Sequence, residues 1–509
     1  MNPPTPAART DWALPLWLLV IFESLVLFVM NRRRTLGGDE FNMIFTAQKP
    51  LLAGLLWQQD YSAPLYQLSL RPFLDSDTPP VWLLRAPAIV FSLASMVAAW
   101  FLVKRLFSRS AAVITVAFIA MSPLYAAQSV QARPYTMFTF FSIASMLAFL
   151  ALLESRPRRW STAAYLAATV LLVYSHYYGF LVIAAQVAYA AVELKGRRDR
   201  ALLQRLALAF AIVFVLSLPA LWLISRYLLH GASGVTGWIR RPERTDLLFL
   251  RQTGVLFGDE LLSAAFLAAI AAILWPRESR GRWWTWWTER RAELLCLAWI
   301  GFGLYFLVAV SYFVRPIYVP RYGLPVMVPL AALLAVTLQR IRTPWHWLVA
   351  GALLTLPAAR LLQLDLREDG RDYVHLVEAL HAENADGSPV FVGHLPYLPD
   401  FRNCELYGLR YYGWSTDEDE PLLPLTREAN GDVALHDGDV LPRDRRVFVA
   451  TGIGAAGIES WLSGRGRAYR RQDFGGLSLI EIERSGFPGH WLSDGSASDA
   501  PAPPRSTAE

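Results

Sequence analysis

From Leu14 to about Asp365 the chain is a succession of apolar runs, each near the length at which a helix crosses the hydrocarbon of a bilayer. They begin at about Leu14, Pro80, Ala111, Thr136, Thr162, Gly179, Leu202, Leu261, Ala292, Pro325 and Trp345. A crossing of about 30 Å takes about 20 residues. Inside lipid every backbone N–H and C=O has to be satisfied within the segment, so such runs fold as helices. The expectation is an all-α polytopic membrane domain of about eleven transmembrane helices. Composition agrees, with 54% of residues hydrophobic and 18% charged, where soluble domains carry about a quarter charged. The first run, Leu14 to Met30, has no basic stretch before it and no small-residue cleavage site after it, so it reads as a retained anchor.

Charge placement orients these helices. With the N-terminus in the cytoplasm, the cytoplasmic loops are 104–110, 154–161, 193–200, 276–291 and 339–344, with 17 Lys and Arg in 45 residues. The opposite loops (31–79, 128–135, 175–179, 225–258 and 315–325) hold 13 in 107. Basic residues favour the cytoplasmic side, which predicts a multi-pass protein of the cytoplasmic (inner) membrane with its N-terminus inside and its C-terminal domain outside. Arg32, Arg33 and Arg34 run against that rule. The net charge of +6 does not point to nucleic acid, because the basic residues are dispersed over loops rather than gathered on one face. Cys296 and Cys404, the only two cysteines, are too few for a disulfide framework.

Beyond Asp365 the pattern changes. Tyr373, Leu376, Val377 and Leu380 recur at helical spacing within 371–384, and segments at Pro389, Arg446 and Leu477 read as strands. The domains expected are therefore 1–364 in the membrane, a small α/β extracytoplasmic domain over 365–484, and a Ser-, Pro-, Ala- and Gly-rich disordered tail over 485–509. Gly452-Ile-Gly454-Ala-Ala-Gly457 fits a dinucleotide fingerprint. It is read here as a tight strand-to-helix turn, since no second βαβ half follows.

The residues that carry chemistry cluster in the outer loops. Asp39 and Glu40 follow Gly37-Gly38 directly after the first apolar run. They fit a general base with a hydrogen-bond or metal partner, or equally two acidic residues at a helix N-terminus. Arg133 and Tyr135 lie in the short second outer loop, His176 and Tyr178 in the third, and Arg321 and Tyr322 before the tenth run. An arginine fork suits a phosphate, although snorkelling to headgroups and an aromatic belt account for such residues one at a time. Together on one side of the membrane they suit a phosphorylated lipid and a sugar.

At these residues the sequence resembles the membrane-embedded GT-C glycosyltransferases, specifically the bacterial relatives of the dolichyl-phosphate-mannose protein mannosyltransferases (glycosyltransferase family 39-like). The resemblance runs from Asp39 through the tenth run. It rests on Gly38-Asp39-Glu40, Ala63-Pro64-Leu65-Tyr66, Leu84-Arg85-Ala86-Pro87 and Ser122-Pro123. Gln131-Ala132-Arg133-Pro134-Tyr135, His176-Tyr177-Tyr178-Gly179 and Pro320-Arg321-Tyr322 complete it.

The resemblance implies a GT-C membrane domain that takes a sugar from a polyprenyl-phosphate donor to an extracytoplasmic glycolipid, glycan or protein, with inversion at the anomeric carbon. Asp39 matches the family's catalytic acidic residue, with Glu40 in support. Arg133 and Arg321 match basic positions that hold the lipid phosphate. Two departures stand out: Gln131 occupies a position where many relatives are acidic, and Tyr61, Ser62 and Ala63 stand where many carry His. Both leave open a second carboxylate, a divalent metal and the acceptor class. Two other readings are carried forward, a polymerase or ligase using a pyrophosphate-linked donor and a non-catalytic lipid or solute transporter. A transporter calls for internal repeats, and none is evident in the sequence.

Overall fold

The computed structural model describes residues 13–50, 63–74, 79–155, 157–197, 199–230, 239, 241–243, 250–275, 290–364, 372–385, 387–394, 409, 411, 412, 414, 422–427, 433–435, 441, 446–451, 455–474 and 477–483. Contacts divide the chain into two compact units, one of Met1–Arg34 with Asn42–Leu366 and one of Thr35–Phe41 with Arg367–Glu509.

The first unit is helical. Its elements are α1 (Ala13–Arg33), the greater part of α2 (Gly38–Gln48), α3 (Pro64–Leu70), α4 (Val81–Leu106), α5 (Arg109–Ala120), α6 (Pro123–Ser129) and α7 (Tyr135–Leu152). Then follow α8 (Arg159–Ser175), α9 (Gly179–Arg197), α10 (Arg200–Leu216), α11 (Leu218–His230), α12 (Leu250–Phe257) and α13 (Glu260–Leu274). A segment from Arg291 to Phe313 comprises α14 (Arg291–Ile300), a π-helical stretch Gly301–Phe306 and α15 (Leu307–Phe313). A 3-10 turn, Pro320–Val326, leads into α16 (Met327–Leu338), and α17 (Trp345–Gln363) ends the unit.

Among the described residues six helices are long and apolar enough to cross a membrane, or eight if each of two bent pairs counts as one span. The expected number of about eleven is thus not reached by that measure. Helices do form at the remaining runs, but α8 and α13 have only 17 and 15 residues, and α9 gives its last turns to Glu193, Lys195 and Arg197. The α5–α6 pair bends by 68° and the α10–α11 pair by 49°. Each bend sits at Ser-Pro or Ser-Leu-Pro, where proline cannot continue the ladder.

Apolar faces of opposite kinds confirm a lipid solvent. α1 leaves Trp17, Ile21, Leu25 and Phe28 more than half exposed, while Phe118, Phe149, Tyr165, Trp299 and Leu330 pack into a continuous interior. Several polar side chains in that interior pair with one another: the Tyr165 hydroxyl donates to Gln186 at 2.9 Å, Gln186 to Ser145 at 2.9 Å, and Ser129 to Ser92 at 2.8 Å. A buried hydroxyl without a partner in hydrocarbon is costly.

At one end of the bundle the loops expected to be cytoplasmic meet. Arg105 pairs with Glu154 at 2.6 Å, Arg291 with Glu193 at 3.3 Å, and Gln339 donates to Ser108 at 2.9 Å. The loops expected outside meet among themselves, as described below.

Among its described residues the second unit is a mixed six-stranded sheet with two helices. α18 (Tyr373–Glu383), β1 (Val390–His394), β2 (Leu422–Arg427), β3 (Val433–Leu435), β4 (Val447–Thr451), α19 (Ala455–Ser463), β5 (Tyr469–Phe474) and β6 (Leu477–Ile482) follow in sequence. The spatial order is β3-β2-β1-β4-β6-β5. β1 is parallel to both β2 and β4, and β6 is antiparallel to β4 and β5. β4 is buried along its whole length, in keeping with Val-Phe-Val-Ala as a two-sided core strand. Phe391, Val447, Val449, Ile458, Leu462 and Ile480 form the core. α18 carries the four expected apolar residues on its buried face, whereas β2, β3 and β5 were not anticipated. The glycines at 452 and 454, Cys404 and the tail lie outside the described residues.

Candidate active site

Three turns between helices build the cluster in the membrane unit. The first follows the α5–α6 bend. Ser122 caps α6 by accepting from the Tyr125 N–H at 3.2 Å, and its hydroxyl donates to the Leu256 carbonyl at 2.7 Å. Pro123 at the first helical position has no N–H to leave unsatisfied. α6 then delivers a tight turn in which the Arg133 N–H donates to the Gln131 carbonyl at 2.7 Å, and Pro134 opens α7. Arg133 is buried, and its Nη2 donates to the Tyr135 hydroxyl at 3.3 Å.

The second turn joins α8 to α9. The Tyr178 N–H donates to His176 Nδ1 at 3.2 Å, and the Tyr178 hydroxyl donates to the Ile317 carbonyl at 2.6 Å. Gly179 fits here because a Cβ would stand 2.8 Å from Leu172 Cγ and 3.0 Å from the Leu172 carbonyl oxygen. The third turn runs into the 3-10 segment. Ser311 Oγ accepts from the N–H groups of Ile317 and Tyr318 at 2.9 and 2.6 Å, which fixes the loop entering Pro320-Arg321-Tyr322.

Both guanidiniums face one ring. Cζ of Arg133 lies 5.7 Å and Cζ of Arg321 5.5 Å from the Tyr135 centroid, and Arg321 is 5.9 Å from that of Tyr322. A cation over an aromatic face is held by the ring quadrupole, so Tyr135 keeps two like charges near each other. Around them His176 lies 6.1 Å from Tyr135, 5.0 Å from Tyr178 and 5.2 Å from Tyr322. Six of the expected residues, Arg133, Tyr135, His176, Tyr178, Arg321 and Tyr322, are therefore one constellation drawn from three separated segments.

His176 is held neutral. Burial first, then Arg133 and Arg321, push its pKa from 6.5 down to about 3. Since Nδ1 accepts from Tyr178, Nε2 carries the proton of the neutral ring. The cluster thus offers an anion two permanent cations and neutral donors.

Phe138, which stacks on His176 at 4.8 Å and 26°, was not among the expected residues. It lies one helical turn after Tyr135 on α7, and that i, i+3 spacing was the available signal. Ser311, too, was missed; nothing in a serine within an apolar run marks it.

Asp39 and Glu40 fall in the other compact unit, in the first turn of α2. They differ from each other. Glu40 is buried, and its Oε2 accepts from the Gly37 N–H at 2.8 Å, the reciprocal half of a capping box. Asp39 is exposed. The capping alternative thus applies to Glu40. In the membrane unit, α2 continues with Met43 and Ala47 packed in a cluster with Tyr66, Ala88 and Ala132, the residue before Arg133. Among the described residues no three His, Cys, Asp or Glu side chains converge as metal ligands.

Residues 77–225 match the family model described as dolichyl-phosphate-mannose-protein mannosyltransferase. Among solved structures, ArnT from Cupriavidus metallidurans in the apo state aligns with a TM-score of 0.60 at 15% identity, over 93% of this chain and 98% of that one. The membrane domain has the GT-C glycosyltransferase fold. The ArnT structure bound to undecaprenyl phosphate aligns with a TM-score of 0.56 at 14% identity, over 95% and 100%. The Archaeoglobus fulgidus oligosaccharyltransferase complex with Zn and sulfate aligns with 0.52 at 12% identity, over 81% and 62%. No curated protein matches the sequence significantly. At these identities the structural likeness is one of fold.

Proposed function

We propose that the protein transfers a sugar from a polyprenyl-phosphate donor to a hydroxyl-bearing extracytoplasmic acceptor, with inversion at the anomeric carbon. The observation that carries the reading is the pair of guanidiniums across Tyr135, walled by His176, Tyr178 and Tyr322, in a chain of GT-C fold. Arg133 and Arg321 hold the phosphate of the donor, and the ring wall lines the approach of the sugar. The fit is chemical: the bond from the anomeric carbon to the phosphate oxygen breaks with its electron pair on that oxygen, and fixed cations stabilise charge where it grows.

The acceptor oxygen attacks the anomeric carbon as Asp39 takes its proton, and the products are the glycoside and the polyprenyl phosphate. Glu40 shapes the turn that presents Asp39. A cap at Gly37 and an exposed neighbour suit a division between one structural and one chemical carboxylate. The bound undecaprenyl phosphate of the ArnT structure supports a lipid phosphate as ligand here.

The test is transfer of labelled sugar by purified full-length protein from polyprenyl-phosphate donors to glycolipid, glycan and protein acceptors, with Asp39→Asn in parallel. Transfer that falls by about 10²-fold or more in Asp39→Asn, with the variant still folded, is the expected result. Unchanged transfer in that variant would remove Asp39 as base. Absence of polyprenyl phosphate release from every donor would overturn the transferase reading.

A further inference from the structure

The segment that carries Asp39 belongs by its contacts to the C-terminal unit, although it lies more than 320 residues earlier in sequence. Thr35–Phe41 is held there by tyrosines. The Leu36 N–H donates to the Tyr412 hydroxyl at 2.9 Å. The Phe41 ring meets Tyr373 edge-on at 5.3 Å and 88°, Tyr411 at 5.8 Å and Tyr412 at 6.5 Å. Tyr373 and Tyr412 stack on each other at 6.0 Å and 9°. Phe41 and Tyr373 are almost completely buried.

That cluster is itself rigidly mounted. Tyr373 is the first residue of α18, and Trp414, just past the two tyrosines, packs on His381 of the same helix at 5.0 Å. α18 is tied to the sheet at both ends: the Asp372 N–H donates to the Phe474 carbonyl at 3.1 Å, Arg446 to the Glu383 carbonyl at 2.8 Å, and Gln472 to Glu383 at 2.6 Å. A continuous path of hydrogen bonds and ring contacts thus runs from the sheet through α18 to both flanks of Asp39. On the other side of the segment, inside the membrane unit, Arg85 is buried and donates to the Arg34 carbonyl at 3.0 Å. The chain is therefore pinned immediately before Thr35 as well.

We infer that Tyr373, Tyr411 and Tyr412 are positioning residues for Asp39, so that the C-terminal unit takes part in turnover by fixing the base rather than serving only as a cap. This rests on the transferase reading for its kinetic consequence, but not for its structural one. A short turn with one exposed carboxylate gains its geometry from whatever grips its ends, and misplacing a base by about 1 Å can cost about a hundredfold in rate. Tyr412→Phe removes only the hydroxyl that accepts from Leu36. Phe41→Ala removes the ring that the cluster encloses, and Phe41→Tyr keeps it.

Two measurements on the full chain decide the matter. Amide hydrogen exchange over 35–41 is expected to rise in Tyr412→Phe and Phe41→Ala and to stay at the wild-type level in Phe41→Tyr. It should also stay at that level in Tyr469→Phe, whose hydroxyl pairs with Ser463 in the same unit. In transfer assays kcat is expected to fall about tenfold or more in Phe41→Ala, with KM for the donor and affinity for polyprenyl phosphate within about twofold of wild type and with Phe41→Tyr restoring turnover. Wild-type kcat in both Tyr412→Phe and Phe41→Ala would overturn the inference, as would unchanged exchange over 35–41. If the wild-type protein transfers no sugar, the transferase reading fails, and the exchange result still decides whether these tyrosines hold the segment.

Discussion

The two groups of candidate residues, one in each compact unit, are built in opposite ways. The arginine group is drawn from three inter-helical turns of the membrane unit, each locked by hydrogen bonds inside that unit: Ser122 to Leu256, Tyr178 to Ile317, and Ser311 to Ile317 and Tyr318. Its two guanidiniums face the ring of Tyr135. The carboxylate group is a single short turn, Thr35–Phe41, gripped by side chains from distant parts of the C-terminal unit. The lesson, on the proposed function, is that binding and turnover are separable. On the proposed reading the lipid anion meets preformed geometry, whereas the proposed base relies on a long-range anchor.

The sharpest way to break that contrast is on the cation side. Arg133→Ala or Arg321→Ala is expected to weaken polyprenyl phosphate binding by about 10²-fold or more, as loss of a charge-assisted contact in a low-dielectric site. Titration of purified protein with the lipid in detergent checks this. Lysine at either position recovers only part of the affinity, because it offers a point charge in place of a planar fork. Binding unchanged in both alanine variants would move the phosphate elsewhere.

A smaller effect sharpens the division between the two carboxylates. Glu40→Gln keeps an oxygen that accepts from Gly37, so transfer should stay within about threefold of wild type, while Glu40→Ala loses the cap at a cost of about 1 kcal/mol. Initial rates and thermal unfolding measure the two. A Glu40→Gln variant as inactive as Asp39→Asn would make Glu40 a chemical group.

Within the arginine group, Gly179→Ala drives a Cβ into Leu172 and is expected to cost about 1–3 kcal/mol by overpacking, read as a lowered Tm. A further expected effect concerns pH. His176 has its folded pKa depressed from 6.5 to about 3, so the unfolded chain binds the proton more readily. Its contribution to stability is complete above about 6.5 and is lost as pH falls from there toward 3. His176→Phe should flatten that part of the stability profile. A steeper acid loss in the variant would contradict the neutral assignment.

Much of this was legible in the sequence, for identifiable reasons. Apolar runs at bilayer length become helices at the expected places, and Arg133, Tyr135, His176, Tyr178, Arg321 and Tyr322 lie in loops that charge placement assigns to one side. Their convergence follows from that assignment. The span count was not legible, because α5–α6 and α10–α11 bend at prolines and α13 is short. Nor was the anchoring of Thr35–Phe41, since no periodicity links Leu36 or Phe41 to Tyr412. Contacts between segments this far apart leave no local signature.

The most direct measurement of the central claim is a paired one on Asp39→Asn and Arg321→Ala, scoring polyprenyl phosphate affinity and sugar transfer in the same preparations. The account predicts that Asp39→Asn binds the lipid as wild type does while transfer collapses, and that Arg321→Ala loses both. Lost lipid affinity in Asp39→Asn, or wild-type affinity in Arg321→Ala, would contradict the separation of base from phosphate site on which the account stands.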